Sequence, residues 1–181
     1  RRSNSMEVKE ALKESVNRIL SISVVHEFLS QQGDENIDVM EVTKNILQLI
    51  QQNMLDSHFK LETEFIGETI ILPSKQASNL ALIINELILN SIEHGFLGRN
   101  YGKIGLKISQ SDEAYIIELY DNGNGLPEKF FDLPTKSLGL QIVRTLIEGD
   151  MNGSFDLYND NGVHAKIAIP YKFLMESEVD V

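Results

Sequence analysis

The stretch Asp121-Asn122-Gly123-Asn124-Gly125 directly follows a strand-like run and places two spaced glycines behind an acidic side chain. Upstream, the run Asn85-Glu86-Leu87-Ile88-Leu89-Asn90 sets Glu86 and Asn90 four residues apart among helix-forming residues. Side chains at this spacing share one face of a helix. Downstream, Ser137-Leu138-Gly139-Leu140 places a glycine at the start of another predicted helix. An acid, an amide and two glycine turns in this order predict a pocket that holds a nucleotide such as ATP without a P-loop.

Length and composition describe one ordinary globular domain. The chain has 181 residues, of which 42% are hydrophobic and 24% charged, close to the average for soluble domains. It has no cysteine, which excludes disulfides and thiolate metal sites and permits a reducing compartment. No run reaches the length of a membrane span, so we expect a cytoplasmic domain that makes no membrane contact. Because residue 1 is not Met, we expect a longer protein, either soluble or membrane-anchored.

The net charge of −11 narrows the range of partners. Non-specific nucleic-acid binding needs a basic surface, so we expect no nucleic-acid partner. An anionic nucleotide bound here needs help against repulsion, and a divalent cation and helix N-termini are the usual sources.

Residues 6–32 predict one long amphipathic helix. Its apolar residues recur at near-heptad spacing and include Val8, Leu12, Ile19, Ile22 and Leu29. So broad an apolar face needs partners that a single helix lacks, and we therefore expect a bundle or a homodimer through this helix. Residues 33–36 break the pattern and predict a linker or a hinge.

The rest of the chain alternates helices with hairpins. Asp38 is placed to cap one helix, and Gly95 to close another that begins after Pro73. The predicted helices cover residues 38–55, 74–95 and 138–148, and the predicted strands cover 59–66, 103–109, 115–120, 154–158 and 165–169. This order predicts an α/β fold, a two-layer sandwich with a mixed sheet.

With its motifs placed in this way, the chain resembles the GHKL ATP-binding domain shared by gyrase, Hsp90, MutL and sensor histidine kinases. It is most similar to histidine kinases of the HisKA_2 type. Residues 18–29 look like the second helix of that family's dimerisation and phosphotransfer domain, and residues 121–127 and 137–143 match its two glycine boxes. The resemblance implies a Bergerat fold with helices on one face of the sheet. It implies a partial dimerisation helix over residues 1–33 and a catalytic domain over 37–175.

The resemblance also assigns roles to three side chains. It implies that Asn90 binds Mg²⁺, an ion that prefers oxygen ligands and is held by few protein groups. It implies that Glu86 is catalytic, as a general base that orients or deprotonates the attacking group. It implies that Asp121 accepts a hydrogen bond from the adenine amine. The alternatives are solvated helix side chains for the first two and a plain hairpin turn for the third.

Further residues are predicted to contact the phosphates or to shape the loops. Gly139 and Leu140 present backbone N–H groups at a helix N-terminus, and His94 ends the helix that carries Glu86. Lys136 can reach a phosphate, although a solvated loop lysine is an equal alternative. The predicted nucleotide-binding residues are Asn90, His94, Asp121, Gly123, Gly125, Lys136, Leu138, Gly139 and Leu140.

Several residues depart from the family pattern or invite a wrong assignment. Glu93 stands where many relatives have Lys, and Val163 where Thr or Ser is frequent. His26 lies on the predicted bundle helix and is interpreted as a packing residue. In the family, the phosphoacceptor histidine lies on the preceding helix, in a His-rich box that this chain lacks.

Three functions remain open at this point. The first is the ATP-binding catalytic domain of a two-component sensor histidine kinase, which requires ATP and Mg²⁺ and passes a phosphoryl group to a histidine and then to a response regulator receiver domain. The second is an anti-sigma-type serine kinase, because residues 90–96 resemble that family too. The third is a non-catalytic nucleotide-sensing scaffold, for which Glu93 and Val163 give mild support.

Overall fold

A computed structural model describes residues 16, 23, 36–130 and 138–172 of the chain. The predicted helix over residues 6–32, with its expected dimer contact, lies outside these residues apart from Val16 and Ser23. So does Lys136. No helix among the described residues has the length and apolar character that crossing a membrane requires.

The described residues form three helices, a five-stranded sheet and a separate pair of very short strands. The strands are β1 (Ile37–Asp38), β2 (Lys60–Ile66), β3 (Ile71–Leu72), β4 (Tyr101–Gln110), β5 (Ala114–Asp121), β6 (Ser154–Asn159) and β7 (Val163–Pro170). The helices are α1 (Val39–Asn53), α2 (Ser74–Asn90) and α3 (Leu138–Arg144). A π-helical turn extends α2 over Ser91–Gly95, and another extends α3 over Thr145–Asp150.

The main sheet has the strand order β2-β4-β5-β7-β6. Strands β2 and β4 run parallel and the other neighbours run antiparallel. A parallel pair needs a crossover connection, and the segment that contains α2 supplies it. The sheet is therefore mixed, as predicted, with β2 and β6 at its edges.

The core lies between one face of the sheet and the helices. Strand β4 contributes alternate residues to it, namely Ile104, Leu106 and Ile108. The neighbouring strands β5 and β7 add Ile117 and Ile167. Helix α2 is buried along much of its length. Its sequence is accordingly apolar on more than the single face that a surface helix would bury. The two-layer arrangement predicted from the sequence is confirmed.

Local signals explain the start of the domain. Asp38 caps α1, since its Oδ1 accepts a hydrogen bond from the Glu41 backbone N–H at 2.8 Å, as its position predicts. The same oxygen accepts the Thr69 hydroxyl at 2.6 Å. These contacts lie beside the β1–β3 pair, which the sequence pattern did not predict because two residues per strand are too few for a period to show.

Candidate nucleotide-binding site

A cavity of about 320 Å³ opens between the end of α2, the loop after β5 and the start of α3. Its walls are mostly apolar, with a few polar side chains among them, which is typical of small-molecule sites. The lining residues are Leu87, Asn90, Ser91, His94, Gly95, Leu119, Asp121, Gly125, Leu126, Pro127, Phe130, Leu140, Leu157, Val163 and Ala165.

Asp121 is the buried acid of this cavity. It ends β5 and is 4% exposed. Its Oδ1 accepts hydrogen bonds from the backbone N–H groups of Gly123 at 2.7 Å and Val163 at 3.2 Å. Its Oδ2 accepts the Ser91 hydroxyl at 2.7 Å. A carboxylate has about four acceptor positions, so one position on Oδ2 remains after these three contacts with described residues.

The glycine loop after β5 packs directly on the end of α2. A Cβ atom added at Gly123 would lie 2.6 Å from the Gly95 carbonyl oxygen, so only glycine permits this approach. The Asn124 N–H donates to the same carbonyl at 2.8 Å. The π-helical turn that ends α2 therefore lines the cavity and also holds the adjacent loop, whose residue Gly125 lines it as well.

Asn90 and Glu86 lie one turn apart on α2, but they differ in their relation to the cavity. Asn90 lines it, and its amide Nδ2 is buried without a hydrogen-bond partner among the described residues. Because amide oxygen and nitrogen exchange places by a simple flip, this side chain can direct its oxygen into the cavity. Glu86 is 2% exposed and does not belong to the cavity lining.

The residues predicted to meet the phosphates are spread along the cavity rim and the start of α3. His94 is exposed and lines the cavity, and so does the buried Leu140. Gly139 is buried without lining the cavity, and Leu138 is 59% exposed. The structure thus gathers Asn90, His94, Asp121, Gly125 and Leu140 around one cavity. It places Glu86, Gly123, Leu138 and Gly139 next to lining residues.

Several lining residues escaped the sequence analysis. Ser91 follows Asn90 and gives Asp121 a hydroxyl donor, but nothing in the helical pattern marks it. Val163 was predicted only as a departure from the Thr or Ser of the family, whereas it contributes its backbone N–H and an apolar part of the wall. Phe130, Leu157 and other apolar lining residues carry no motif beyond hydrophobicity.

The described residues contain no cluster of three or more His, Asp or Glu side chains arranged to hold a metal ion. Behind the cavity, on the opposite face of the sheet, Tyr120 donates its hydroxyl to Glu64. Burial and this bond to a carboxylate raise the pKa of Tyr120 to about 12. Tyr120 therefore stays neutral and keeps its donor throughout the physiological range.

Comparison with protein-family models matches residues 75–173 to the histidine kinase-, DNA gyrase B-, and HSP90-like ATPases. Residues 1–54 match the HisKA_2 histidine kinase model. The chain is 34% identical over 173 residues to the sensor histidine kinase PdtaS of Mycobacterium tuberculosis, covering 94% of this chain and 34% of that protein. It is 30% identical over 99 residues to the blue-light-activated histidine kinase 2 of Erythrobacter litoralis, covering 54% of this chain and 28% of that protein. The chain thus spans about a third of the length of these curated relatives.

Solved structures agree with the fold. The histidine kinase domain of the Erythrobacter litoralis EL346 blue-light activated histidine kinase superposes with a TM-score of 0.72 at 20% identity, covering 96% of this chain and 87% of that one. The catalytic domain of histidine kinase ThkA superposes with a TM-score of 0.61 at 22% identity, covering 75% of this chain and 93% of that one. At these identities the likeness establishes the fold.

Proposed function

The chain belongs to the sensor histidine kinases of the HisKA_2 type, with an ATPase domain of the gyrase B and HSP90 class, and on this premise we propose that it binds Mg-ATP in the cavity beside Asp121. The γ-phosphoryl group then passes to a histidine outside these 181 residues and onward to the receiver domain of a response regulator. The family membership favours this function over an anti-sigma-type serine kinase and over a non-catalytic scaffold.

The observation that carries the proposal is the remaining acceptor position on Asp121 Oδ2. A donor such as the adenine exocyclic amine can occupy it, whereas guanine presents an oxygen acceptor at the corresponding place. The apolar walls formed by Leu119, Leu157 and Ala165 suit the faces of a purine ring. The site is therefore expected to select adenine over guanine.

We assign the metal contact to Asn90 because its amide lines the cavity with one end unpaired among the described residues. Mg²⁺ bound with the nucleotide would neutralise phosphate charge, which the chain's net charge of −11 otherwise repels. His94 at the rim and the backbone of Gly139 and Leu140 are the proposed phosphate contacts, with Lys136 from outside the described residues.

Glu86 is the proposed base. It lies one turn from Asn90 in the interior of the domain. It orients the attacking imidazole at the moment when the phosphoacceptor histidine approaches the cavity. A neutral imidazole already has a lone pair, so the role of Glu86 is mainly to orient that imidazole and receive its proton.

The domain organisation follows the same interpretation. We place the catalytic domain at residues 37–175, because β1 already pairs with β3 at residue 37, and a partial dimerisation helix at residues 1–33. A homodimer forms through that helix. The ATP-binding part works in the cytoplasm, where ATP and the response regulator are present.

Calorimetric titration of the chain with ATP and with GTP, each with Mg²⁺ and with EDTA, tests the binding proposal. We expect binding of ATP that weakens in EDTA, and markedly weaker binding of GTP. Equal affinities for the two nucleotides would refute the role given to Asp121. Phosphotransfer to a receiver domain by the full-length protein then separates a kinase from a nucleotide-sensing scaffold.

A further inference from the structure

The turn between β6 and β7, residues 159–163, contacts the glycine loop that follows Asp121. At one end of the turn, the Asn159 side chain bonds the backbone of Leu126. At the other end, the Val163 N–H donates to Asp121. The turn therefore holds both ends of the loop that forms one wall of the cavity.

The contact made by Asn159 uses both ends of its amide. Asn159 Oδ1 accepts the Leu126 N–H at 2.8 Å, and Asn159 Nδ2 donates to the Leu126 carbonyl at 3.1 Å. This is the pattern by which a neighbouring strand residue pairs with a backbone. Only a side chain with one donor and one acceptor at this spacing can reproduce it, and a carboxylate or an aliphatic side chain cannot.

Residues Gly125, Leu126 and Pro127 form one wall of the cavity, and Leu126 is the one whose backbone N–H and carbonyl both bond Asn159. Gly125 before it has a φ of 77°, and a Cβ there would lie 3.1 Å from Asn159 Oδ1. Pro127 after it has no N–H to donate. All three residues line the cavity. Because Leu126 lies between Gly125 and Pro127, the hydrogen bonds to its backbone hold all three residues of this wall in position.

The turn is itself anchored to the outer face of the sheet. The His164 ring lies between the rings of Tyr120 and Tyr158, with 5.2 Å between centroids on each side. Its Nδ1 lies 2.9 Å from Glu118 Oε1 and its Nε2 lies 3.1 Å from the Asp160 carbonyl oxygen. Asn159 thus connects a turn that is bonded and stacked onto the sheet to the far end of the glycine loop.

We propose that Asn159 is a positioning residue for nucleotide binding. It holds the wall formed by Gly125, Leu126 and Pro127 in its binding geometry before the nucleotide arrives, so that the ligand does not have to order the loop. Asn159 does not belong to the cavity lining and acts through Leu126. The inference rests on the proposed function, since it concerns the affinity of the same cavity for ATP.

The test compares Asn159→Ala with a matched variant, Asn161→Gly. Asn161 lies in the same turn, and its amide bonds Asp160 Oδ1 at 3.0 Å. It has a φ of 54°, which glycine adopts without strain. Because Asn159 lies at the surface, where hydrogen bonds are weakened by competing water, we expect Asn159→Ala to raise the Kd for Mg-ATP about three- to tenfold. Asn161→Gly should leave it within about twofold.

Hydrogen exchange of the nucleotide-free chain supplies a readout that a general loss of stability would not reproduce. In Asn159→Ala, we expect faster exchange confined to residues 122–126, with protection regained at saturating Mg-ATP. An unchanged Kd would overturn the proposal. So would faster exchange throughout β6 and β7, which would make Asn159 a structural residue of the hairpin. If the unmodified chain does not bind ATP, the proposed function fails, while unaltered loop exchange in the variant would independently refute the contact's role.

Discussion

The substitution Asp121→Asn separates the role of Asp121 in the fold from its role toward a ligand. The amide oxygen can replace Oδ1 and accept the N–H groups of Gly123 and Val163. The amide nitrogen can replace Oδ2 and donate to the Ser91 hydroxyl, which lies 3.2 Å from the Leu87 carbonyl and can donate there instead. The two bonds from backbone N–H groups therefore persist, and the bond with Ser91 persists with donor and acceptor exchanged. What disappears is the remaining acceptor position, which becomes a donor.

The size of the effect follows from this exchange. A hydrogen bond to a charged group contributes about 1.5–3 kcal/mol, and about 1.4 kcal/mol corresponds to tenfold in affinity. We therefore expect the Kd for Mg-ATP to rise about 10- to 140-fold. The Kd for Mg-GTP should stay constant or fall, because the new amide donor can face the guanine oxygen.

Isothermal calorimetry of both nucleotides, with circular dichroism and thermal unfolding as controls for the fold, measures these changes. An ATP affinity that stays within about twofold in a folded variant would refute the assignment of Asp121 to adenine. A parallel loss of ATP and GTP binding would also contradict it, since that result indicates damage to the cavity rather than a changed acceptor.

Three further predictions concern the metal, the sheet and the dimer. In the full-length protein, Asn90→Ala should reduce the Mg²⁺-dependent part of ATP binding, whereas Glu86→Gln should leave binding largely intact and lower phosphoryl transfer. Identical behaviour of the two variants in binding and in turnover would contradict the division of roles. Because the folded pKa of Tyr120 is raised to about 12 from about 10 in the unfolded chain, its stabilising contribution is complete below about pH 10 and is lost as the pH rises toward about 12. Urea unfolding should accordingly show that the stability difference between the unmodified chain and Tyr120→Phe shrinks over this window, and a constant difference would refute the linkage. Ile19→Glu combined with Ile22→Glu should convert a dimer into a monomer that still binds ATP, and light scattering that finds a monomer before substitution would contradict the dimer.

Local patterns were enough to predict most of the fold. The cap at Asp38, the end of the long helix at Gly95 and the glycines after Asp121 each depend on backbone geometry within a few residues. The helix after Leu138 was predicted as one element to residue 148. It instead becomes a π-helical turn from Thr145 to Asp150, and apolar periodicity cannot distinguish these two helical forms.

The contacts that shape the site could not be predicted in the same way. Ser91 reaches an acid 30 residues away, and Asn159 reaches a backbone 33 residues away. Such pairs come together only when the sheet order and register exist, and no single stretch encodes them. The roles given to all the site residues stay predictions. Glu86 also lies outside the cavity lining, and Lys136 lies outside the described residues.

The chemistry of Asp121 supports the proposal that this acid serves a ligand as well as the fold. Burying a carboxylate costs more free energy than burying an amide, because a charge loses more hydration. Every contact that Asp121 makes with described residues can be satisfied by asparagine, and no described Lys or Arg forms an ion pair with it. The negative charge strengthens these three bonds, but without a described cation beside it the charge also carries a desolvation cost. Asparagine loses the stronger bonds of the charged acceptor and also avoids its desolvation cost, so we expect the two effects largely to offset each other in the empty domain. The remaining acceptor position has no such offset once a nucleotide donor faces it. Asp121→Asn should therefore change the thermal stability of the nucleotide-free domain little while it weakens ATP binding, and a large loss of thermal stability would show that the charge serves the fold.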